Sequence, residues 1–455
     1  MAPVNTETID SDYLLSLRAV RERCFKVQEA AVKNKLQHFD IDESKMKDMV
    51  QLVVSLIKRD FEDPSKIPAH GCWRNFDAGN NLRIQTLINS WASLGIDPTE
   101  QTRRVLDLFV IAVLLDIDSN QSYSFCETST NKTLKKRQGM AVAILEMFMA
   151  GTFSSNPNQP HQVDLKGLEN LTIDNLLKGF KIDTASSLIG LEDRLDLLGH
   201  LVRALDRCKE YFPTENGQFP RPGNMMDYLL YHPKTIMTKK GPLIPVETLW
   251  PVVLEIGEIW TVEDTDSCKG GTFELGDVWR CTALGDEGQL VPFHKLSQWM
   301  VYSLIEPMEK LLGAVIEGTD QLTPLPDLAN GGLLIDTGFI TLKNQDYERG
   351  IENYRKNSLL PGQPKVEVAP MFEMSDPVVV EWRALTTAYL DIVADRVRAT
   401  LKLNKKALSL SQLIEGGTTS AGRELAEISR PNTQEPPIVI KEYTPNKTHK
   451  SHTYT

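Results

Sequence analysis

Four side chains that can bind a small molecule or exchange a proton follow Pro292, namely His294, Lys295, Gln298 and Trp299. Proline favours the first turn of a helix, and residues four positions apart share one edge of that helix. His294 is therefore expected beside Gln298, and Lys295 beside Trp299. A helix start of this composition is typical of a binding-site wall. Apolar residues recur after it at helical spacing, at Leu296, Met300, Leu304, Met308, Leu311 and Leu312.

Two carboxylates, Asp327 and Asp336, bracket the next segment of interest. A proline-rich turn leads into Asp327, and the pair Gly331 and Gly332 permits a close or left-handed backbone path. We interpret the apolar residues that follow as a strand-like segment. Held at the two ends of a rigid connection, the acids could stabilise a cationic sugar. Alternatively, both acids merely cap or terminate elements, which is the commoner use of aspartate in turns.

A third group lies on a long helix predicted in the last quarter of the chain, where Glu381, Trp382 and Arg383 are consecutive. Trp382 belongs to the inner face, so the flanking charges suit either a polar pocket or a solvated surface. Arg423 follows a glycine cluster that lacks the Lys-Ser/Thr ending of a phosphate-binding loop. The inner face itself is predicted to consist of Val378, Trp382, Leu385, Tyr389, Val393 and Val397.

The elements that must position these residues are predicted to be mainly α-helical. We expect a single multi-helix domain over 11–430, a small β ribbon near 270–292 and a loosely structured tail over 431–455. Asp97-Pro98-Thr99-Glu100 combines a cap, a first-turn proline and an acid, so it predicts the start of a central apolar helix. The loop that contains His70 and Trp73 is interpreted as a pocket rim or, equally, as surface packing.

Composition excludes several classes of protein. The 455 residues are 41% hydrophobic and carry a net charge of −11, which argues against a dedicated nucleic-acid surface and against binding to anionic membranes. The scattered cysteines show no zinc-ligand spacing, and no segment has the length of a membrane span or the pattern of a leader. We therefore expect a cytoplasmic globular protein with reduced thiols.

Several catalytic motifs are absent from the sequence. There is no HExxH, no GxSxG, no GxGxxG after a strand and no His/Cys cluster, so we expect neither a metal nor a cofactor. What remains is a set of carboxylates near Trp, His, Lys and Arg. Such a set suits chemistry in which a carboxylate stabilises a sugar cation while another group protonates the leaving group.

The chain resembles the fungal and bacterial uracil-catabolism family that bears a long domain of unknown function. The resemblance runs from about Tyr13 to Ile440 and rests on YLLSLRAVRERC, LGDVW, PFHKLSQW, NGGLLID, LLPGQP, VEWRALT and RPNTQEPPI. It implies a place in pyrimidine degradation, at a step that breaks down a ribosylurea-type intermediate to urea and a ribose moiety.

The order FHKLSQ, LTPLPDLANGGLL and EWR is also similar to the queuosine-nucleotide salvage glycosidases. This similarity implies that Asp327 is the catalytic carboxylate, Lys295 the helix lysine, and Glu381 with Trp382 the acidic and aromatic contact. Such a site requires Lys295, Asp327 and Glu381 to converge. The sequence departs from the expected pattern at Leu328-Ala329, where Tyr-Arg is expected.

We therefore predict an N-glycoside hydrolase that releases urea from ribosylurea or its 5-phosphate. Asp327, or failing that Asp336, would stabilise the cation, and Glu381 and His294 are candidates for proton transfer. The predicted substrate-binding residues are Lys295, Gln298, Trp299, Trp382, Arg383 and Arg423. Two alternatives stay open: an amidohydrolase acting on the ureido group, and a non-catalytic helical partner protein of the pathway. The oligomeric state is open as well.

Overall fold

A computed structural model describes residues 10–116, 123–182, 191–215, 217–257, 276–285, 290–357 and 367–441, and the structural statements below concern these residues. Their secondary structure is mainly α-helical, and the strands among them are short. The predicted fold class is therefore confirmed. No helix in these ranges combines the length and the apolar character needed to cross a bilayer.

The helices are α1 (Ser11–Leu14), α2 (Leu17–Val32), α3 (Met46–Asp60), α4 (Trp73–Phe76), α5 (Arg83–Ser93), α6 (Pro98–Leu115), α7 (Lys136–Met149), α8 (Leu165–Glu169), α9 (Ile173–Phe180), α10 (Leu191–Arg207), α11 (Met225–Tyr231), α12 (Val246–Gly257), α13 (Lys295–Leu312), α14 (Leu328–Asp336), α15 (Asn344–Asn357), α16 (Pro377–Leu401), α17 (Leu410–Leu413) and α18 (Thr419–Ser429).

The strands are β1 (Phe39–Ile41), β2 (Ser124–Cys126), β3 (Thr133–Lys135), β4 (Ile236–Thr238), β5 (Gly241–Pro245), β6 (Val278–Arg280), β7 (Leu290–Pro292), β8 (Val315–Glu317), β9 (Ile340–Leu342), β10 (Met371–Glu373) and β11 (Val439–Lys441). They form small sheets: β1–β9, β2–β3 and β6–β7 pair antiparallel, β10–β11 pair parallel, and β4, β5 and β8 form a three-stranded sheet. The β6–β7 pair is the ribbon predicted near 270–292.

The described residues form two compact units, each built from discontinuous stretches of chain. The first unit draws on Met1–Pro68, Val278–Phe293 and Thr323–Thr455, and the second on Ala69–Asp277 and His294–Leu322. The single domain predicted over 11–430 stays a prediction, and each unit is described by itself.

In the first unit, the long helix α16 packs against α2 and α3, while α14 packs against α18. Asp376 caps α16 by accepting a hydrogen bond from the Val378 backbone N–H at 3.0 Å. Proline at the next position fixes a helical φ angle, which fits the first turn. The predicted inner face of α16 is confirmed because all six of its residues are buried.

In the second unit, α6 packs against α13 and α7. Asp97 caps α6 through the backbone N–H groups of Thr99 and Glu100, as the sequence predicts. The run Val105–Leu115 is buried on all sides, which makes α6 the central helix of this unit. The helix α13 continues through Pro307, although a proline inside a helix removes a backbone donor and favours a kink.

Two sequence predictions need correction in the first unit. The segment interpreted as strand-like is the helix α14, whose first-turn donors are satisfied by Asp327. Within the range expected to be a loose tail, Val439–Lys441 forms β11 because it pairs with β10, so any tail begins later than predicted. Residues 442–455 lie outside the described residues.

The central position of α6 can be tested with Val110→Asp. Val110 is fully buried, so the substitution places an unpaired charge in the core and should lower the unfolding free energy by about 3–5 kcal/mol. The matched control is Val32→Asp, because Val32 is 66% exposed at the end of α2 and should lose less than about 1 kcal/mol. Denaturant titrations followed by circular dichroism would measure both. Equal losses would contradict a central α6.

Candidate active site

The start of α13 has an unusual backbone. His294 precedes the first helical residue and adopts φ 45° and ψ 43°, in the left-handed region. For an L residue this conformation costs about 1–2 kcal/mol, although histidine tolerates it better than most. Its side chain is nonetheless fully buried. A strained, buried and titratable side chain is a reason to look for function at this point.

Asp277 closes this helix start. Its Oδ2 accepts a hydrogen bond from the Lys295 backbone N–H at 3.0 Å, and Asp277 is 7% exposed. The first N–H groups of a helix have no partner inside the helix, and the helix dipole favours a negative charge there. Gly276, with φ 66°, makes the turn that brings the carboxylate to this position. The buried carboxylate therefore satisfies a backbone donor at the helix start.

Aromatic rings surround the helix start. The ring of Trp250 meets the His294 imidazole edge-on, with their centroids 5.9 Å apart. On the next turn, the His70 ring lies 4.7 Å from the Trp299 ring and 6.0 Å from the Tyr302 ring. His70 comes from the loop that we interpreted as a pocket rim. Centroid distances in this range are those of aromatic rings packed against each other.

Two polar side chains on the first turn of α13 are fully buried, Ser297 and Gln298. The Gln298 backbone N–H donates to the His294 carbonyl at 2.9 Å, which continues the helix from His294. A Cβ atom on Gly257 would come within 2.6 Å of Ser297 Oγ, so this close approach requires glycine. The helix start thus gathers an imidazole, a carboxylate, an amide and a hydroxyl.

Sequence reasoning missed Asp277. The residue is part of LGDVW, one of the motifs that carried the family resemblance, but we gave it no chemical role. A signal was available in the glycine just before it, because such a pair often marks a sharp turn that presents a carboxylate.

Glu381 lies in the first unit and has a defined set of partners. Its carboxylate accepts hydrogen bonds from the backbone N–H groups of Gln37, His38 and Phe39 at 3.0, 2.9 and 3.1 Å. Burial raises its pKa, and the three backbone donors offset part of that effect. The side chain therefore orders the turn that leads into β1, and its predicted role in proton transfer stays a prediction.

The two aspartates that bracket α14 also have structural partners. Asp327 caps the helix by accepting a hydrogen bond from the Asn330 backbone N–H at 2.7 Å. Asp336 forms a two-pronged ion pair with Arg430, with distances of 2.9 and 2.6 Å. These contacts match the alternative reading in which both acids cap or terminate elements.

Trp382 and Arg383 are buried in the same unit. Trp382 Nε1 donates to the Gly331 carbonyl at 3.1 Å, and a Cβ atom on Gly331 would come within 2.6 Å of the indole ring. The Arg383 guanidinium lies 4.1 Å from the centroid of the Phe293 ring. Both side chains therefore take part in the packing of the first unit.

Arg423 is exposed on α18. Its neighbour Gly422 lies so close to α14 that a Cβ atom would fall 1.9 Å from the Ala329 carbonyl oxygen. The Leu328-Ala329 departure noted in the sequence therefore lies where two helices touch. An altered residue at this position acts on helix packing as well as on any ligand.

The predicted site residues divide between the two units. His294, Lys295, Gln298 and Trp299 come together at the start of α13 in the second unit, while Asp327, Asp336, Glu381, Trp382, Arg383 and Arg423 belong to the first. The convergence of Lys295 with Asp327 and Glu381 stays a prediction. Among the described side chains, no three His, Cys, Asp or Glu groups are placed to share a metal ion.

Comparison with known proteins identifies the family. Residues 13–444 match the family described as "Protein of unknown function (DUF1688)". The chain belongs to this family. The DUF1688 match covers every candidate site residue discussed above. It also confirms the resemblance found in the sequence, to a family with a long domain of unknown function.

Two curated relatives of this DUF1688 protein are similar over nearly their whole length. Uracil catabolism protein 4 of Lachancea kluyveri is 36% identical over 448 residues, which cover 95% of this chain and 98% of the relative. Protein urg3 of Schizosaccharomyces pombe is 34% identical over 446 residues, which cover 96% and 98%.

The structural role of Glu381 can be tested with Glu381→Gln. The amide keeps the shape but turns one acceptor into a donor that faces backbone N–H groups, so the unfolding free energy should fall by about 1–3 kcal/mol. Glu352→Gln is the control because Glu352 is exposed and forms an ion pair with Lys356 across one turn. Denaturant titration would measure both variants. If Glu381→Gln were as stable as the control, the turn before β1 would not depend on the carboxylate.

Proposed function

We propose that this protein acts in uracil catabolism and hydrolyses the N-glycosidic bond of ribosylurea or of its 5-phosphate. Support for the pathway comes from the Lachancea kluyveri relative, named uracil catabolism protein 4, and from its similarity over nearly the whole chain. The observation that carries the site is the buried, left-handed His294 at the start of α13, where Asp277 accepts from the backbone N–H of the next residue. Strained and buried titratable groups concentrate where a fold supports chemistry.

The reaction breaks the bond between C1′ of the ribose and a urea nitrogen, and it adds a water oxygen to C1′. Positive charge builds up at C1′ as the bond breaks, so a carboxylate nearby lowers the barrier. Asp277 supplies that charge in our proposal. Urea leaves poorly as an anion, so His294 donates a proton to the departing nitrogen, and Asp277 takes a proton from the attacking water.

The choice of Asp277 rather than Asp327 rests on their partners. The similarity to the salvage glycosidases implies Asp327, yet the contacts of its carboxylate are those of a helix cap. Asp277 also accepts from the first turn of a helix, but the helix it caps begins directly after His294, a buried titratable side chain. We therefore assign the carboxylate role to Asp277 first, and Asp327 is the second choice.

Binding is assigned to the neighbouring side chains of the second unit. We assign Gln298 to the ureido group because an amide side chain can both donate and accept hydrogen bonds. Trp299 is half-buried, and we assign its indole ring to stack on the same planar group. Lys295 is half-buried and carries the positive charge that a 5-phosphate would need. Arg383 and Arg423 are left as predicted phosphate contacts of the first unit.

The proposal is tested by incubating the pure protein with ribosylurea and with its 5-phosphate and assaying urea. Asp277→Asn keeps an oxygen for the Lys295 N–H but removes the charge, so turnover should fall by about 10² or more without loss of melting temperature. Asp327→Asn is the matched control and should keep most of the turnover.

Three outcomes would contradict the proposal. Absence of urea with both substrates would exclude the activity, and release of ammonia in place of urea would indicate the amidohydrolase alternative. Loss of turnover in Asp327→Asn, with Asp277→Asn active, would move the carboxylate role to Asp327.

Lys295→Ala should weaken binding of the phosphorylated substrate more than that of ribosylurea, because an ammonium recognises phosphate mainly by charge.

A further inference from the structure

A histidine in the first unit lies between a carboxylate and a hydroxyl. His38 Nδ1 is 2.9 Å from Asp346 Oδ2, and His38 Nε2 is 3.5 Å from Thr282 Oγ1. The three residues come from separate parts of the chain. Hydroxyl, imidazole and carboxylate in this order are the parts of a nucleophilic catalytic triad.

The carboxylate sets the proton positions on the ring. Asp346 can only accept a hydrogen bond when it is ionised, so the neutral His38 ring carries its proton on Nδ1. Nε2 then has a lone pair that faces the Thr282 hydroxyl. Burial alone would raise the pKa of Asp346, but hydrogen bonds from His38 and Arg349 outweigh it and hold this pKa below its usual value. The carboxylate is therefore ionised at neutral pH.

Hydrogen bonds of the His38 backbone fix the position from which the imidazole extends. The His38 N–H donates to Glu381 at 2.9 Å, and the His38 carbonyl accepts from the Lys343 N–H at 2.9 Å. Asp346 is fixed in turn by Arg349, which also binds Asp376. The buried Glu381 thus acts as a positioning residue for His38.

Substrate access differs between the members of this group. The His38 and Asp346 side chains are 16% and 15% exposed, whereas Thr282 is exposed at the start of a short 3₁₀ turn. A threonine hydroxyl is a weak nucleophile unless a base removes its proton. An exposed hydroxyl that faces an oriented imidazole meets that requirement, and a small molecule can reach it from solvent.

We propose that Thr282, His38 and Asp346 form a second site, one that transfers an acyl group from a small ester or activated amide to water. Thr282 Oγ1 attacks the carbonyl carbon while His38 Nε2 takes the hydroxyl proton. The bond to the alcohol or amine then breaks, and His38 returns the proton to that leaving group. Water, deprotonated by His38, next attacks the acyl-threonine ester and releases the acid. This activity is separate from N-glycoside hydrolysis.

The test uses the full chain and 4-nitrophenyl acetate. Wild-type protein should release nitrophenol and carry an acetyl group on Thr282, seen by peptide mass spectrometry. Thr282→Val replaces the hydroxyl with a methyl group at an exposed position, so the fold should be retained. This variant should abolish both signals. Thr282→Ser should retain them. His38→Gln should slow acylation by about 10² or more, because the base is lost.

The matched control is Thr400→Val. Thr400 is exposed in the same unit, and its hydroxyl donates to the Arg396 carbonyl at 2.8 Å rather than facing an imidazole. This variant should react like wild type. Asp346→Asn should slow acylation and leave the site of acetylation unchanged, as expected of a positioning residue. Wild-type protein without acetyl-Thr282, or equal nitrophenol release by wild type and Thr282→Val, would overturn the proposal.

Discussion

The N-terminus of α13 is buried, and that constraint governs the second unit. A helix start leaves backbone N–H groups without intrahelical partners, and burial keeps water from satisfying them. Asp277 meets the need by accepting from the Lys295 N–H. His294 must then connect β7 to α13 through a left-handed turn, which places its imidazole inside the protein. A structural requirement thus brings an acid and a base together at one point.

Buried carboxylates that accept hydrogen bonds also stabilise the first unit. A buried carboxylate is stable only when hydrogen-bond donors surround it. Glu381 has three backbone N–H groups, and Asp336 has the Arg430 guanidinium. These acids looked catalytic in the sequence because a catalytic carboxylate and a structural carboxylate both lie near basic and aromatic residues. The difference lies in what the carboxylate contacts, and the sequence alone does not contain that information.

Helices with strong local signals could be predicted from the sequence. The caps Asp97 and Asp376 and the apolar periodicity behind them predict α6 and α16, because these signals act within a few residues. The helix α14 could not be predicted. Glycines favour turns locally, but Gly331 is required by the Trp382 ring, so tertiary packing overrides helix propensity there. The helix start at His294 was predicted. The role of Asp277 was missed because its contact with the Lys295 backbone N–H forms only when the chain folds.

The central claim is that ligand binds at the start of α13. A crystal structure of the Asp277→Asn variant soaked with ribosylurea 5-phosphate would test it most directly, because the slowed variant should hold intact substrate. We expect ligand density with the ureido group near His294 and Gln298 and the phosphate near Lys295. Ordered ligand bound elsewhere, with the start of α13 unchanged, would contradict it.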